Sequence, residues 1–193
     1  MDRSYVRKQL ASHYVLVSCE GSFEAVVVKR LIEGNRLLMQ SDYLVEDSRT
    51  AELYTRLRKP ADIIARFLRY DYPSEAGDGK LVLARIVDKE AKTGRADRSY
   101  HGRVIPFDFV TRPEIEMLAV IKEDAESRWD AARRKDKQLK VSQFCKLELG
   151  LSKSFAQLEK YWADVDELVW CIGAYHKKHG KSGLLDISDL LAR

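Results

Sequence analysis

Residues 14–34 read YVLVSCEGSFEAVVVKRLIEG and carry the clearest fold signal in the chain. The first part, Tyr14–Ser18, is a short apolar run with β-branched residues, which is typical of a buried strand. After a Glu-Gly pair, Ser22 offers a helix cap, and apolar residues then recur at helical spacing until Gly34. The stretch therefore predicts a strand that is followed directly by a helix.

Further strands are predicted on the carboxyl side of this unit. The apolar runs are Arg36–Gln40 (RLLMQ), Leu81–Val87 (LVLARIV) and Arg103–Val110 (RVIPFDFV). Pro106 cannot donate a ladder hydrogen bond, so the last run is expected at a sheet edge or at a bulge. A strand–helix–strand opening is typical of a parallel sheet covered by helices, so we expect an α/β fold with about four mostly parallel strands.

Helical patterns fill much of the remaining sequence. Residues 50–70 predict a helix that restarts at Pro60, and Pro113 is placed as in the first turn of another helix, which we expect to run past Trp129. We therefore expect helices on both sides of the predicted strands.

The chain after Val141 has apolar residues at helical spacing. A short turn at Gly150 joins two helices, as in helix-turn-helix DNA readers, but the second helix offers few side chains that read bases. A helical hairpin packed on the sheet or on a partner protein is the favoured interpretation. We expect an α/β domain at residues 1–125 and a helical extension at residues 126–193.

The composition favours a folded, soluble protein. Of the 193 residues, 45% are hydrophobic and 33% are charged, which argues against disorder. No apolar run reaches the roughly 18 to 20 residues that a membrane helix needs, so no membrane contact and a cytoplasmic location are expected. The three cysteines form no C-x-x-C pair, and the net charge of +4 is compatible with a phosphate-bearing partner.

Acidic residues follow the predicted strands at their carboxyl ends. Glu20 follows the first strand, Asp88 and Glu90 follow LVLARIV, and Glu116 follows the last strand, while Glu24 lies one turn into the first helix. The carboxyl ends of parallel strands meet at one edge of a sheet, so these groups are expected to converge. Converging carboxylates need protons or a cation, and Mg²⁺ or Mn²⁺ suits oxygen ligands. The alternative is a set of solvated strand-end acids.

Three segments resemble the motifs of Toprim domains. VLVSCEGSFEAVVVKRLIEG resembles the first motif, in which a strand is followed by Glu-Gly and a helix, and LVLARIVDKEAK is similar to the second, a strand followed by Asp-x-Asp. RPEIEML is similar to a third acidic motif in the nuclease branches, such as the overcoming-lysogenisation-defect nucleases and Toprim subunits of phage-defence systems. In that family the acidic residues bind magnesium for DNA strand breakage or phosphoryl transfer.

The resemblance covers residues 14–122 and implies a Toprim-like fold. It implies magnesium-binding roles for Glu20, Asp88, Glu90 and Glu116. It also implies that Gly21 allows a tight turn near phosphate. The chain has Asp-Lys-Glu where the family has Asp-x-Asp, so the longer glutamate would shift or weaken a second metal position.

Basic residues surround the second acidic motif in the sequence. The candidate nucleic-acid-binding residues are Arg85, Lys89, Arg95, Arg98 and Arg103. Such residues neutralise backbone phosphates, although a solvated loop explains them equally well. Lys92, four residues after Asp88, is the candidate for stabilising developing charge.

The leading hypothesis is a metal-dependent nuclease or nuclease subunit that cleaves DNA or RNA, in a setting such as bacterial phage defence. Glu20, Asp88 and Lys92 are its candidate catalytic residues. The alternative is a non-catalytic Toprim-like subunit that mediates interactions in a larger nucleic-acid-processing or defence complex. A phospho-receiver domain ranks lower, because it needs paired acids after the first strand and only Glu20 is there.

Overall fold

The computed structural model describes residues 2–69, 72–73, 78–89, 100–152, 154–181 and 183–192. Its strands are β1 (Tyr14–Cys19), β2 (Leu81–Val87) and β3 (Val104–Val110). Its α-helices are α1 (Arg3–Ser12), α2 (Ser22–Glu33), α3 (Pro60–Phe67), α4 (Met117–Lys122), α5 (Glu126–Lys135), α6 (Val141–Glu148), α7 (Phe155–Tyr161) and α8 (Val165–His179). Two short 3₁₀ helices lie at Ser41–Tyr43 and Ile187–Leu190.

The three strands form one parallel sheet with β2 in the middle. Alternate side chains enter two hydrophobic clusters, as the two-residue period of a strand requires. Val15 and Val17 belong to the larger cluster, with α2 and the C-terminal helices, whereas Leu16 joins the smaller one with Ile63 and Phe67 of α3. The expected α/β architecture with a parallel, helix-flanked sheet is therefore confirmed for the described residues.

The strand predicted at 36–40 is wrong. Within that segment Leu37 makes a single antiparallel bridge to Leu191. The outer edge of β1 is covered by a later segment, in which the amide of Val45 donates to the carbonyl of Val15 at 2.9 Å and that of Thr55 donates to Val17 at 2.8 Å. Backbone groups at the edge of a buried strand need partners, and an irregular segment supplies them here.

The predicted edge position of Pro106 is confirmed. In the described sheet β3 pairs with β2 on one side, and Pro106 lies opposite Leu83 in that pairing. At the carboxyl end of β3, the amide of Val110 donates to the carbonyl of Leu185 at 2.8 Å. The C-terminal segment thus protects the end of the strand where its outer edge would otherwise be exposed.

The helix predicted from Pro113 past Trp129 is two helices, α4 and α5. Asp124 separates them with a φ of 46°, a left-handed conformation that an α-helix does not contain. The helix predicted before Pro60 is also absent, because residues 51–59 lie in turns and bridges. The break at Asp124 is a local turn, in which the amide of Ala125 donates to the carbonyl of Val120 at 2.9 Å, whereas residues 51–59 are held by hydrogen bonds to β1.

The helices after Val141 form as predicted, and they pack on the α/β core. Helix α7 packs against α2, and α8 packs against α4 and α2. Lys122 at the end of α4 joins these helices, since its Nζ lies 2.6 Å from the carbonyl of Tyr161 and 2.7 Å from Glu167. The larger cluster includes the buried Trp162 and Tyr175, whereas Trp170 is 63% exposed. None of the described helices is both long and apolar enough to cross a membrane.

Candidate metal centre

The carboxyl ends of all three strands meet at one edge of the sheet. Cys19 lies opposite Ile86, and Val87 lies opposite Val110, so β1, β2 and β3 end side by side. The residue after β1 is Glu20 and the residue after β2 is Asp88. The parallel arrangement that the apolar runs produce therefore brings two distant acidic residues together.

Glu20 and Asp88 are in direct contact. The backbone amide of Asp88 donates to Glu20 Oε2 at 3.2 Å. The other oxygen, Oε1, lies 3.2 Å from Nη1 of Arg58, whose Nη2 also donates to the backbone carbonyl of Glu20. Both carboxylate oxygens of Glu20 therefore have partners from the protein.

Asp88 is held by residues at the end of β3. Its Oδ1 accepts a hydrogen bond from Thr111 Oγ1 at 3.3 Å, and its carbonyl accepts one from Arg112 Nε at 3.0 Å. Partial burial raises the pKa of the Asp88 carboxyl above its ordinary value, and the charge of Glu20 raises that pKa further. The charges of two more carboxylates, Glu114 and Glu116, raise the same pKa, so several acids act on one group.

The third acidic motif contacts α6. Glu114 Oε2 accepts a hydrogen bond from the amide of Ser142 at 3.1 Å, which ties the motif to α6. Glu116 precedes α4 and is buried, and its carbonyl accepts a hydrogen bond from Cys145 Sγ at 3.5 Å. The sequence predicts Glu116 inside the helix, whereas it is the N-cap residue directly before α4.

These acids line an open cleft of about 370 Å³. Its carboxylates are Glu20, Glu24, Asp88, Glu114 and Glu116, and its cations are Arg56, Arg58 and Lys140. The position of Glu24, four residues after Glu20 and one turn into the first helix, was a signal in the sequence for its place in this cleft. Arg56 and Arg58 gave no local signal, because the segment that carries them reads as a helix.

The resemblance implied that Gly21 allows a tight turn. In the structure the glycine instead leaves space for a neighbouring side chain. Its φ of −133° and ψ of −175° belong to extended backbone that any residue adopts. A Cβ at this position would lie 2.6 Å from Oε2 of Glu24. The glycine therefore leaves room for a carboxylate of the cleft.

A second cleft of about 390 Å³ lies on the other side of Glu20 and Asp88. Its cations are Arg58, Arg85 and Lys89. Arg85 is engaged by Asp108, with Nη2 2.5 Å and Nε 2.7 Å from Oδ1 of the aspartate. Lys89 is exposed. Glu20, Asp88 and Arg58 thus form the boundary between an acidic and a basic cleft.

Arg103, another predicted site residue, does not lie at the acidic cleft. Arg103 precedes β3, at the amino end of the strands, about 20 Å along the sheet from the acidic cleft. The structure therefore does not bring it to Glu20 and Asp88. The predicted residues Glu90, Lys92, Arg95 and Arg98 lie outside the described residues.

The donor set of the acidic cleft suits a hard divalent cation, because it consists of carboxylate oxygens and leaves room for water. Within the described ranges, however, no group of three or more His, Cys, Asp or Glu side chains is already arranged to hold a metal ion. The carboxylates suit such an ion by their chemistry, whereas Glu20 is paired with Arg58 in this arrangement.

Comparisons of the chain with protein-family models, with curated proteins and with solved structures gave no match.

Proposed function

We propose that this chain is a Toprim-like, metal-dependent nuclease, or the nuclease subunit of a larger assembly, that hydrolyses phosphodiester bonds of DNA or RNA. The observation that carries the proposal is the convergence of Glu20, Asp88, Glu114 and Glu116 on one cleft at the carboxyl edge of a parallel sheet. Ligands bind at this edge in open α/β folds. The resemblance suggests phage defence as the setting, and a cytoplasmic location belongs to the same proposal.

Glu20 and Asp88 would hold Mg²⁺ or Mn²⁺, with Glu116 as a further donor from the same cleft and Glu90 as another that the resemblance implies. When bound, such an ion stabilises negative charge on a phosphoryl oxygen and orients a water for attack. Thr111 fixes the orientation of the Asp88 carboxylate through its hydroxyl. Lys89 and Arg58, at the neighbouring basic cleft, would bind phosphates of the strand, and Lys92 remains the proposed charge stabiliser.

The test is a titration of Mg²⁺ and Mn²⁺ into the wild type, Glu20→Gln and Glu148→Gln, in which thermal stability and cleavage of mixed nucleic acids are followed. Glu148 is an exposed carboxylate at the end of α6 and serves as the matched control. We expect metal-dependent stabilisation and cleavage in the wild type and the control, and neither in Glu20→Gln. A wild type that shows no response to either metal would contradict the proposal.

A non-catalytic interaction subunit is the second candidate. It is favoured by the ion pair that Glu20 already makes with Arg58. Two large hydrophobic side chains on the helical extension are exposed, Leu147 at 75% and Trp170 at 63%, and they offer a surface for a partner protein. An absent metal response in the titration, combined with a stable fold, would favour this candidate.

A further inference from the structure

Arg58 is paired with the Glu20 carboxylate, which is a proposed ligand of the metal. Its Nη1 lies 3.2 Å from Glu20 Oε1, and its Nη2 donates to the Glu20 carbonyl. Since Oε2 already accepts the amide of Asp88, the guanidinium takes the remaining oxygen of Glu20. A divalent cation and this guanidinium would therefore compete for the same negative charge.

The guanidinium can move while its backbone stays in place. The Arg58 side chain is 58% exposed, and exposed ion pairs contribute little stability and exchange readily. The adjoining backbone is held against β1, because Ser18 Oγ donates to the carbonyl of Leu57 at 2.7 Å and the amide of Thr55 donates to Val17. Arg58 thus carries an exposed charge, in a pair that contributes little stability, on a backbone segment held to β1.

Arg58 also lies where a substrate phosphate would arrive. Its side chain lines both the acidic cleft and the basic cleft. Of the other arginines there, Arg85 is engaged by Asp108, and Arg56 contacts Ser22 Oγ at 3.4 Å. The fork of N–H donors in a guanidinium matches two phosphate oxygens, so a released Arg58 is suited to bind the nucleic-acid backbone.

We propose that Arg58 is a positioning residue that holds Glu20 in the metal-free protein, is displaced by the divalent cation, and then pairs with a phosphate of the nucleic-acid strand. This inference rests on the proposed function. It predicts effects of opposite sign when Arg58 is removed, with tighter cation binding and weaker nucleic-acid binding. A residue that only supports the fold would weaken both.

The first measurement is calorimetric titration of Mn²⁺ into the wild type, Arg58→Gln, Arg58→Lys and Arg56→Gln. Removal of a cation that contacts Glu20 is expected to tighten Mn²⁺ binding about ten-fold in Arg58→Gln. Arg58→Lys keeps the charge and should stay within about three-fold of the wild type. Arg56→Gln removes the same charge from the same cleft without that contact and should also change affinity by less than about three-fold.

The second measurement is the fluorescence anisotropy of a short labelled single-stranded DNA in Ca²⁺, which takes oxygen ligands. We expect Arg58→Gln to bind the DNA about ten-fold more weakly than the wild type, and Arg58→Lys to recover part of the loss. Melting temperatures in EDTA check that all variants fold.

The outcomes separate the two proposals. Glu20-dependent Mn²⁺ binding with the same affinity in the wild type and Arg58→Gln would overturn this inference and leave the proposed function standing. Mn²⁺ binding that is measurable in the wild type and about ten-fold tighter in Arg58→Gln, with weaker DNA binding in that variant, would support the inference. Weaker binding of both Mn²⁺ and DNA in Arg58→Gln would assign Arg58 to the fold and overturn it. No Mn²⁺ binding in any variant would overturn both.

Discussion

The carboxylate of Glu24 lies over Gly21, so that a methyl group at position 21 would approach Glu24 Oε2 to 2.6 Å. Glu24 is only 7% exposed, so its side chain cannot simply turn into solvent. The glycine after β1 therefore leaves space for a carboxylate that comes one helical turn later. This relationship links the backbone of the first motif to the shape of the acidic cleft.

Gly21→Ala is expected to lower the free energy of unfolding by about 1 kcal/mol, because overpacking forces a neighbouring side chain off its position. Glu24→Ala removes the obstacle, so the double variant should be more stable than the sum of the two single changes predicts. Urea unfolding of the four proteins measures this coupling. Additive losses would show that Gly21 and Glu24 act independently.

Asp88→Asn is expected to stabilise the protein at neutral pH. The folded state raises the pKa of Asp88 through burial and through Glu20, so it favours the neutral form. The neutral form contributes stability below the ordinary carboxyl pKa of about 3.9, and this contribution is lost as pH rises through the raised pKa. Asparagine keeps the oxygen that accepts from Thr111 and has no charge to lose.

The gain from Asp88→Asn should stay below about 0.5 kcal/mol, because the Asp88 carboxyl is only partly buried and the residue as a whole remains exposed to screening solvent. Melting temperatures of the two proteins across the acid range measure it. The difference should be present at neutral pH and should vanish in acid, where Asp88 of the wild type is protonated. If Asp88→Asn were less stable than the wild type at neutral pH, the charge of Asp88 would not be unfavourable in the folded protein.

The proximity of Glu20 and Asp88 could be predicted from the sequence. Continuous apolar runs favour buried parallel strands, and parallel strands bring Glu20 and Asp88 to the same edge. Each residue directly follows its strand, so no information on side-chain packing was needed. The role of Gly21 could not be predicted, because it depends on where the Glu24 carboxylate lies.

The position of Arg58 at the cleft could not be predicted from the sequence for a different reason. Residues 52–59 (ELYTRLRK) have a helical pattern, but the free edge of β1 needs hydrogen-bond partners, and Thr55 of this segment supplies them. The segment is therefore held against the strand and carries Arg58 to Glu20. The need of the sheet edge for hydrogen-bond partners therefore outweighed the local helical preference.

Arg85 and Lys89, both candidate nucleic-acid-binding residues, should differ in their effect on stability. Arg85 pairs with Asp108, and both side chains are mostly buried, at 13% and 14% exposure. Arg85→Met leaves the buried Asp108 carboxylate without this partner and should cost about 2–3 kcal/mol in the free energy of unfolding. Lys89→Met, at an exposed position, should change it by less than about 0.5 kcal/mol. Urea unfolding of both variants is the check, and equal losses would refute the difference.

The cysteines should react slowly in the native protein. All three are buried thiols outside any disulfide, and burial raises the pKa of the Cys171 thiol to about 11 and that of Cys19 well above its ordinary value. The thiolate is the reactive form, and a pKa of about 11 lowers the thiolate fraction of Cys171 at pH 8 about a hundred-fold. Thiol titration at pH 8 with and without guanidinium chloride compares the labelling rates of the folded and the unfolded protein. Rapid labelling of the folded protein would contradict the buried placement.

Asp47→Asn should destabilise the segment that brings Arg58 to the cleft. The Asp47 side chain is 5% exposed, with Oδ1 3.1 Å from Arg66 Nη1 and Oδ2 2.8 Å from Thr55 Oγ1. Loss of its charge leaves Arg66 without this carboxylate at a mostly buried site, which should cost about 3 kcal/mol in the free energy of unfolding. The neighbouring Glu46→Gln, at an exposed position, should change it by less than about 0.5 kcal/mol.

Urea unfolding compares Asp47→Asn and Glu46→Gln with the wild type, and Mn²⁺ titration then tests the link to the site. Thr55 binds both Asp47 and the backbone of β1, and Arg58 follows it by three residues, so a weakened anchor loosens the support of the guanidinium. We therefore expect Mn²⁺ to bind Asp47→Asn more tightly than the wild type, by a smaller factor than in Arg58→Gln. A stability loss with unchanged Mn²⁺ affinity would mean that the position of Arg58 does not depend on this anchor.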